Sequence, residues 1–175
     1  LDKAADLGFT GVLLMAKRPH LSILDADGAR LDAIKAKLAQ RNLSLIGLAA
    51  YDDFLVPAPG EVPVNEFQVA CIEECARITA RLGGSLVRVF TGYERSDLSL
   101  AAQWDRVIAC LQECADRAAR YGVQIVVQNH HDLGVETRSF ELLLGEVDRP
   151  NIRAGYDAWS PFLRGENLYE GAKRM

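Results

Sequence analysis

Two polar segments in the C-terminal half of the chain combine groups that bind cations with groups that carry protons. The first follows an apolar run and consists of Gln128, Asn129, His130, His131 and Asp132. The second begins at Asp157, at the end of the next apolar run. Amide and carboxylate oxygens and imidazole nitrogens are ligands of divalent cations such as Mn²⁺, Mg²⁺, Co²⁺ and Zn²⁺. We therefore predict a divalent metal site that uses Gln128 and Asp157.

The two adjacent histidines are candidates for proton transfer in the same site. Imidazole titrates near neutral pH, so His130 or His131 can accept a proton and return it. A lone histidine after a strand is most often an ordinary loop residue, but these two stand between an asparagine and an aspartate. The third histidine, His20, follows another apolar run, and the sequence leaves substrate contact and surface loop equally open for it.

Further residues near the ends of apolar runs are candidate substrate contacts, namely Arg88, Tyr51, Asn129 and Trp159. The guanidinium of Arg88 suits an anionic or hydroxyl group, and the indole of Trp159 suits the apolar face of a sugar. Segment 54–63 contains three prolines and one glycine, too many breakers for regular structure. Because it follows an apolar run, it is a candidate substrate loop.

Five apolar runs, each entered from a glycine, asparagine or proline, define the elements that must position these residues. The runs span residues 10–15, 43–50, 85–90, 123–127 and 151–156. Their composition is typical of parallel strands covered on both faces, and each is followed by enough residues for a crossover helix. The sequence therefore predicts an α/β chain of five βα units, with its chemistry at the carboxyl ends of the strands.

The spacing of the units favours a barrel over an open sheet. The strand starts lie about 35 residues apart, so eight units would take about 280 residues, the size of a (β/α)₈ TIM barrel. Five strands cannot close such a barrel. We expect residues 1–175 to be a single domain that forms an internal part of a longer barrel, with a self-sufficient open sheet as the alternative.

Side-chain alternation predicts which face of the sheet carries polar groups. Residues of equal parity share one side of a strand, and the shared polar side contains Arg88, Gln124, Gln128, Arg153 and Asp157. The opposite, apolar side must pack on the helices, so the polar side is expected to face the barrel lumen. Gln124 and Arg153 lie near the strand bottoms, where structural ion pairs are the favoured interpretation.

The composition does not favour nucleic acid or a membrane as a partner. The net charge is −4 and the isoelectric point is about 5.4, with no long basic stripe to favour nucleic acid or an anionic membrane. The longest apolar runs are strand-length, far short of a membrane span. A homo-oligomer stays open, because the unpaired edges and apolar helix faces of a partial barrel favour association.

Helical periodicity predicts amphipathic outer helices over 29–41, 65–82 and 99–121. The four cysteines lie in the last two of these helices, as Cys71, Cys75, Cys110 and Cys114. Their helical phase places most of them in or beside buried faces, so we expect small buried hydrophobic groups rather than a zinc site or disulfides. A reducing, cytoplasmic compartment fits this pattern.

The chain resembles the xylose isomerase-like superfamily of TIM barrels over essentially its whole length. The resemblance is carried by residues 4–12 (AADLGFTGV), 87–90 (VRVF), 122–130 (GVQIVVQNH) and 152–157 (IRAGYD). This superfamily contains sugar and sugar-phosphate isomerases and epimerases and the related endonuclease IV fold. The resemblance implies that the present strands correspond to the second to sixth of eight.

The resemblance also implies a set of metal ligands, from which this sequence departs at one position. The family has a glutamate at the end of the fifth strand that binds metal and often transfers the proton, where this chain has Gln128. A glutamine carbonyl can bind a cation, but it cannot accept and return a proton at neutral pH. Asp157 matches the sixth-strand aspartate, whereas Ser160 stands where a histidine is often found. The remaining histidine and glutamate ligands would belong to the seventh and eighth strands.

The leading functional hypothesis is a divalent-metal-assisted sugar or polyol isomerase or epimerase that transfers a proton next to a carbonyl. Its partner would be a small sugar or sugar phosphate. The alternative is a non-catalytic sugar-binding or regulatory barrel that has lost the catalytic glutamate, which Gln128 favours. An endonuclease IV-like phosphodiesterase ranks third, because three histidines and an acidic balance do not match its ligand cluster or a DNA-binding face.

Overall fold

The computed structural model describes residues 1–130 and 133–175, so the predicted His131 and Asp132 lie outside the described residues. Five parallel strands are observed, which confirms the prediction of five βα units. They are β1 (Gly11–Met15), β2 (Ser44–Ala49), β3 (Leu86–Val89), β4 (Gln124–Gln128) and β5 (Ile152–Gly155). In the sheet each strand pairs with its neighbours in sequence, as in the wall of a barrel.

Helices follow the strands and cover one face of the sheet. They are α1 (Asp2–Asp6), α2 (Gly28–Gln40), α3 (Val64–Arg81), α4 (Leu100–Ala119), α5 (Thr137–Val147), α6 (Trp159–Leu163) and α7 (Leu168–Arg174). The helices predicted over 29–41, 65–82 and 99–121 agree with α2, α3 and α4 to within two residues. No helix in the described part of the chain is both long and apolar enough to cross a membrane.

The two faces of the strands differ as the alternation predicted. In β4, Ile125 and Val127 are buried against the helices, whereas Gln124, Val126 and Gln128 keep accessible surface on the other side. The fifth apolar run was expected over residues 151–156, and β5 lies within it and ends at Gly155.

The core lies between the sheet and the helices, with α3 and α4 as its largest contributors. Leu111 of α4 is fully buried, and burial of such a side chain stabilises the fold by roughly 1.5–3 kcal/mol. Cys75, Cys110 and Cys114 are buried in this core and Cys71 is exposed, all as free thiols. The prediction that most cysteines act as buried hydrophobic groups is confirmed.

Glycines end α3 and α4 and direct the chain into the next strands. Gly83 has φ +84° and Gly122 has φ +67°, the left-handed region in which a side chain is strained. After α3, the amides of Gly83 and Gly84 donate to the carbonyls of Ala80 and Thr79, the paired bonds of a Schellman motif. The turn fixes the direction in which β3 starts.

The register between β1 and β2 contains an irregularity, and a glycine beside it lies close to β3. Val12 pairs with Leu45 and Leu13 pairs with Gly47, so Ile46 is skipped as in a β-bulge. A Cβ atom on Gly47 would lie 1.8 Å from the carbonyl oxygen of Leu86 on β3. Only glycine allows the three strands to approach this closely.

Candidate active site

The carboxyl ends of β4 and β5 bring together three of the residues predicted from the sequence. The Gln128 Nε2 donates to Asp157 Oδ2 at 2.8 Å. The Nδ1 atom of His130 lies 3.2 Å from the same carboxylate oxygen. One carboxylate, one amide and one imidazole therefore converge at the edge where a parallel sheet places its chemistry.

Backbone contacts hold Asp157 in this position. Its amide donates to Asn129 Oδ1 at 2.6 Å, and its Oδ1 accepts from the Trp159 amide at 3.0 Å. Burial acts to raise the pKa of Asp157, but the donors from Trp159, Gln128 and His130 together keep that pKa below its ordinary value. The carboxylate is thus ionised at neutral pH.

Asn129, which was predicted to contact substrate, is fully buried. Its side-chain amide donates to the carbonyls of Val135 and Asp157, at 3.4 and 3.3 Å. With its carbonyl oxygen also engaged by the Asp157 amide, Asn129 ties the loop after β4 to the end of β5.

A row of stacked side chains crosses the strand ends from β1 to β4. It consists of Lys17, Tyr51, Arg88, Phe90 and His130, and we call it the strand-top row. Lys17 Nζ lies 3.7 Å from the centroid of the Tyr51 ring, and Arg88 Cζ lies 4.9 Å from the same centroid. Arg88 Cζ also lies 4.0 Å from the centroid of Phe90, on which the His130 ring stacks at 5.8 Å. The row connects the predicted substrate contacts Tyr51 and Arg88 to the imidazole beside Asp157.

Two aspartates after β2 were missed by the sequence reasoning. Asp52 accepts from the Phe90 amide at 3.1 and 3.2 Å, and Asp53 Oδ1 accepts from the amides of Leu55 and Tyr93 at 3.0 and 3.1 Å. Burial raises the pKa of Asp52 to about 7, despite the Phe90 amide and the nearby charge of Arg88. The rule that selected Asp157, a carboxylate directly after an apolar run, would have found both.

Asp52 and His130 line the same small cavity, together with three residues of the segment after β3. The cavity has a volume of about 20 Å³, the room of about one water molecule. Asp52 also lines a larger cavity of about 300 Å³, near the ends of β1 and β2 and helix α3. Asp52 therefore borders two cavities at the strand ends.

The remaining predicted residues lie around this centre. Trp159 is 58% exposed at the start of α6, where its ring packs on Phe162 with 6.3 Å between centroids. Tyr51 is 46% exposed, and His20 is exposed on the loop after β1. Segment 54–63 is irregular as predicted, but Phe54 and Leu55 at its start are fully buried, which anchors the loop to the core.

A family model for xylose isomerase-like TIM barrels matches residues 1–174. The chain belongs to this family. The match covers every strand and all five strand ends described above, so the family expected from the sequence is confirmed. Among proteins with curated functions, none matches the chain.

Solved structures with the same fold include a probable dehydratase and sugar epimerases. The probable 3-DHS dehydratase AsbF from Bacillus anthracis has a TM-score of 0.80 and 17% identity, and it aligns with 99% of this chain and 61% of its own. A D-tagatose 3-epimerase-like protein has a TM-score of 0.79 and 18% identity, over 99% of this chain and 65% of its own. D-psicose 3-epimerase from Clostridium cellulolyticum H10, solved with D-tagatose, has a TM-score of 0.79 and 14% identity, over 99% and 62%.

At these identities the similarity establishes the fold alone. This chain spans between 61% and 65% of the length of those three structures. That proportion agrees with five βα units of an eight-unit barrel, as the sequence predicted. A further relative of the same fold, a xylose isomerase-like protein from Mycobacterium smegmatis, was solved in complex with magnesium and has a TM-score of 0.68 and 13% identity, over 87% of this chain and 53% of its own.

The donors at the ends of β4 and β5 suit a divalent cation. Two adjacent oxygen ligands of an octahedral cation with bonds of about 2.1 Å lie about 3.0 Å apart. The Gln128 amide and the Asp157 carboxylate meet at 2.8 Å, and half a turn of the amide puts its oxygen where its nitrogen now lies. Within residues 1–130 and 133–175, however, no group of three or more histidine, cysteine, aspartate or glutamate side chains converges on one point. Gln128 and Asp157 thus offer two adjacent oxygen donors at this edge of the sheet.

Proposed function

We propose that the protein containing this chain is a divalent-metal-assisted sugar or polyol isomerase or epimerase. The observation that carries the proposal is the convergence of Gln128, His130 and Asp157, with both side-chain partners of Asp157 on one of its oxygens. The epimerases with this fold support a sugar-like substrate, since one was solved with D-tagatose and another with D-allulose.

In this proposal Gln128 and Asp157 hold the cation and His130 handles the proton. A bound divalent cation polarises a carbonyl and its adjacent hydroxyl, which lowers the cost of removing the neighbouring carbon-bound proton. The His130 Nδ1 lies 3.2 Å from the Asp157 carboxylate, which orients the imidazole, and the proposal assigns the proton transfer to this ring. Gln128 cannot take that role, since an amide does not titrate. His131 stays a second candidate on the sequence alone.

The other predicted residues position the substrate. Arg88 and Tyr51 line the strand ends beside His130 and offer charge and an aromatic face. Trp159, with more than half of its surface exposed, offers a platform for the apolar face of a sugar ring. Asn129 enters the proposal as the residue that holds Asp157, because its amide is buried and engaged with the backbone.

The proposal is tested by comparing the protein with its Asp157→Ala variant. The unaltered protein should be stabilised against heat by Mn²⁺ and should exchange the carbon-bound proton of a ketohexose with solvent deuterium. Asp157→Ala should lose both responses. Asp105→Ala, an exposed aspartate on α4, is the matched control and should keep both. Full Mn²⁺ stabilisation of Asp157→Ala would refute the ligand assignment.

A non-catalytic sugar-binding barrel is the second candidate, and the amide of Gln128 is the observation that favours it. The amide hydrogen bond to Asp157 occupies the position at which the family has a titratable carboxylate. Gln128→Glu separates the two functions. If a lost base is the only defect, the variant gains proton exchange that the unaltered protein lacks. Exchange by the unaltered protein excludes the non-catalytic function.

A further inference from the structure

Two cations of the strand-top row lie against the same aromatic ring. Lys17, just after β1, and Arg88, on β3, are 3.7 and 4.9 Å from the Tyr51 centroid. Each contact is favourable, because the face of an aromatic ring carries negative electrostatic potential. The two like charges nevertheless repel each other, and an anion near both offsets that repulsion.

Neither cation forms an ion pair within the described part of the chain. In residues 1–130 and 133–175, no carboxylate lies within ion-pair distance of Lys17 or Arg88. The Arg88 Nη1 is buried without a hydrogen-bond acceptor in that part of the chain, and burial lowers the pKa of the guanidinium. Other arginines near the strand ends differ, since Arg18 binds Asp25 and Arg95 binds Asp97 through two bonds each.

The charge of Asp52 acts to raise the pKa of Arg88, but Asp52 is a weak counterion. Its oxygens accept from the Phe90 amide rather than from the guanidinium. Because burial raises the pKa of Asp52 to about 7, about half of these carboxyls are neutral at that pH. The positive charge of Arg88 therefore stays largely available to a ligand.

We propose that Lys17 and Arg88 form an anion subsite, so that the sugar or polyol substrate carries a carboxylate or phosphate group. The planar guanidinium of Arg88 can bind two oxygens of such a group, and the ammonium of Lys17 adds a point charge from the neighbouring side. Phe90 separates Arg88 from His130, which places the anionic group one ring away from the acid–base residue. The subsite rests on the proposed function, because it assigns a charge to that function's substrate.

Binding of three six-carbon ligands tests the subsite without requiring turnover. Sorbitol is neutral, gluconate adds a carboxylate and sorbitol 6-phosphate adds a phosphate. Calorimetric titration of the protein should give at least about tenfold tighter binding for one of the anions than for sorbitol. The preferred anion then identifies whether the substrate is a sugar acid or a sugar phosphate.

Charge-removing variants show whether the preference arises at these two residues. Lys17→Met and Arg88→Met should each weaken binding of the preferred anion about fivefold to tenfold more than they weaken binding of sorbitol. Lys35→Met, an exposed lysine on α2 outside any described ion pair, is the matched control and should bind like the unaltered protein. Equal affinity for the three ligands, absence of binding at millimolar concentration, or an anion preference that survives Lys17→Met and Arg88→Met would overturn the subsite. Because no step requires turnover, anion binding without proton exchange would keep the subsite and refute the catalytic proposal.

Discussion

Replacement of Asp52 by asparagine should stabilise the protein at pH 8 and have little effect at acidic pH. The asparagine carbonyl can still accept from the Phe90 amide, which now bonds to the carboxylate at 3.1 Å. The difference between the two side chains is therefore the cost of ionising a carboxyl that is withdrawn from water. That cost depends on pH, whereas the packing of the two side chains is nearly the same.

The magnitude follows from the shift in pKa. Folding raises the pKa of Asp52 from 3.8 to about 7, and each unit corresponds to about 1.4 kcal/mol. The ceiling is about 4 kcal/mol, and the surface that Asp52 still exposes reduces the expected effect to about 2 kcal/mol. Because the folded state favours the neutral carboxyl, its stabilisation is complete below the unfolded pKa and is lost as pH rises through about 7. Asparagine is neutral throughout.

Urea unfolding followed by circular dichroism at about pH 4.5 and about pH 8 measures the effect. The free energy of unfolding of Asp52→Asn minus that of the unaltered protein should increase by about 2 kcal/mol from the lower to the higher pH. Asp105→Asn on the exposed side of α4 controls for the loss of one negative charge. The same difference at both pH values, or a decrease with pH, would show that Asp52 is ionised without cost.

Three further outcomes are expected from the fold. Gly47→Ala should destabilise the protein by about 3 kcal/mol or more in urea unfolding, because its Cβ would overlap a backbone oxygen of β3; a loss below about 1 kcal/mol would contradict the close approach. Of the four thiols, Cys71 alone should react quickly with a chromogenic thiol reagent, because burial raises the pKa of the other three; fast labelling of Cys71→Ser would contradict this. Ser99→Ala should cost about 1 kcal/mol, because Ser99 Oγ caps α4 at the Ala102 amide, and unchanged stability would exclude that cap.

The elements of the fold were predictable because each has a local signal. The turn glycines, such as Gly83 and Gly122, and the apolar runs after them mark where strands start, and helical periodicity marks the helices between them. Alternation alone does not mark the end of β5, because Asp157 has the same parity as Arg153 although it lies beyond the strand. Asp157 accepts the Trp159 amide two residues on, and this local turn competes with continuation of the strand.

The candidate site was predictable in part for a related reason. Gln128 ends β4, and His130 and Asp157 each lie two residues after a strand, so topology alone brings them to one edge of the sheet. The role of Asn129 depends on the neighbouring loop, whose backbone its amide engages, and no spacing in the sequence encodes that contact. The contact of Lys17 with Tyr51 likewise joins two different βα units through flexible side chains.

The carboxylate of Asp53 has a consequence for attempts to redesign specificity by exchanging loops between related barrels. Such exchanges treat each strand-end loop as an independent module, since loops in this fold usually leave from a rigid scaffold. Here one carboxylate accepts from Leu55 in one loop and from Tyr93 in the next. A donor loop grafted alone would leave one of these amides without its acceptor. The smallest transferable module on this side of the barrel is therefore a pair of adjacent loops together with the aspartate between them.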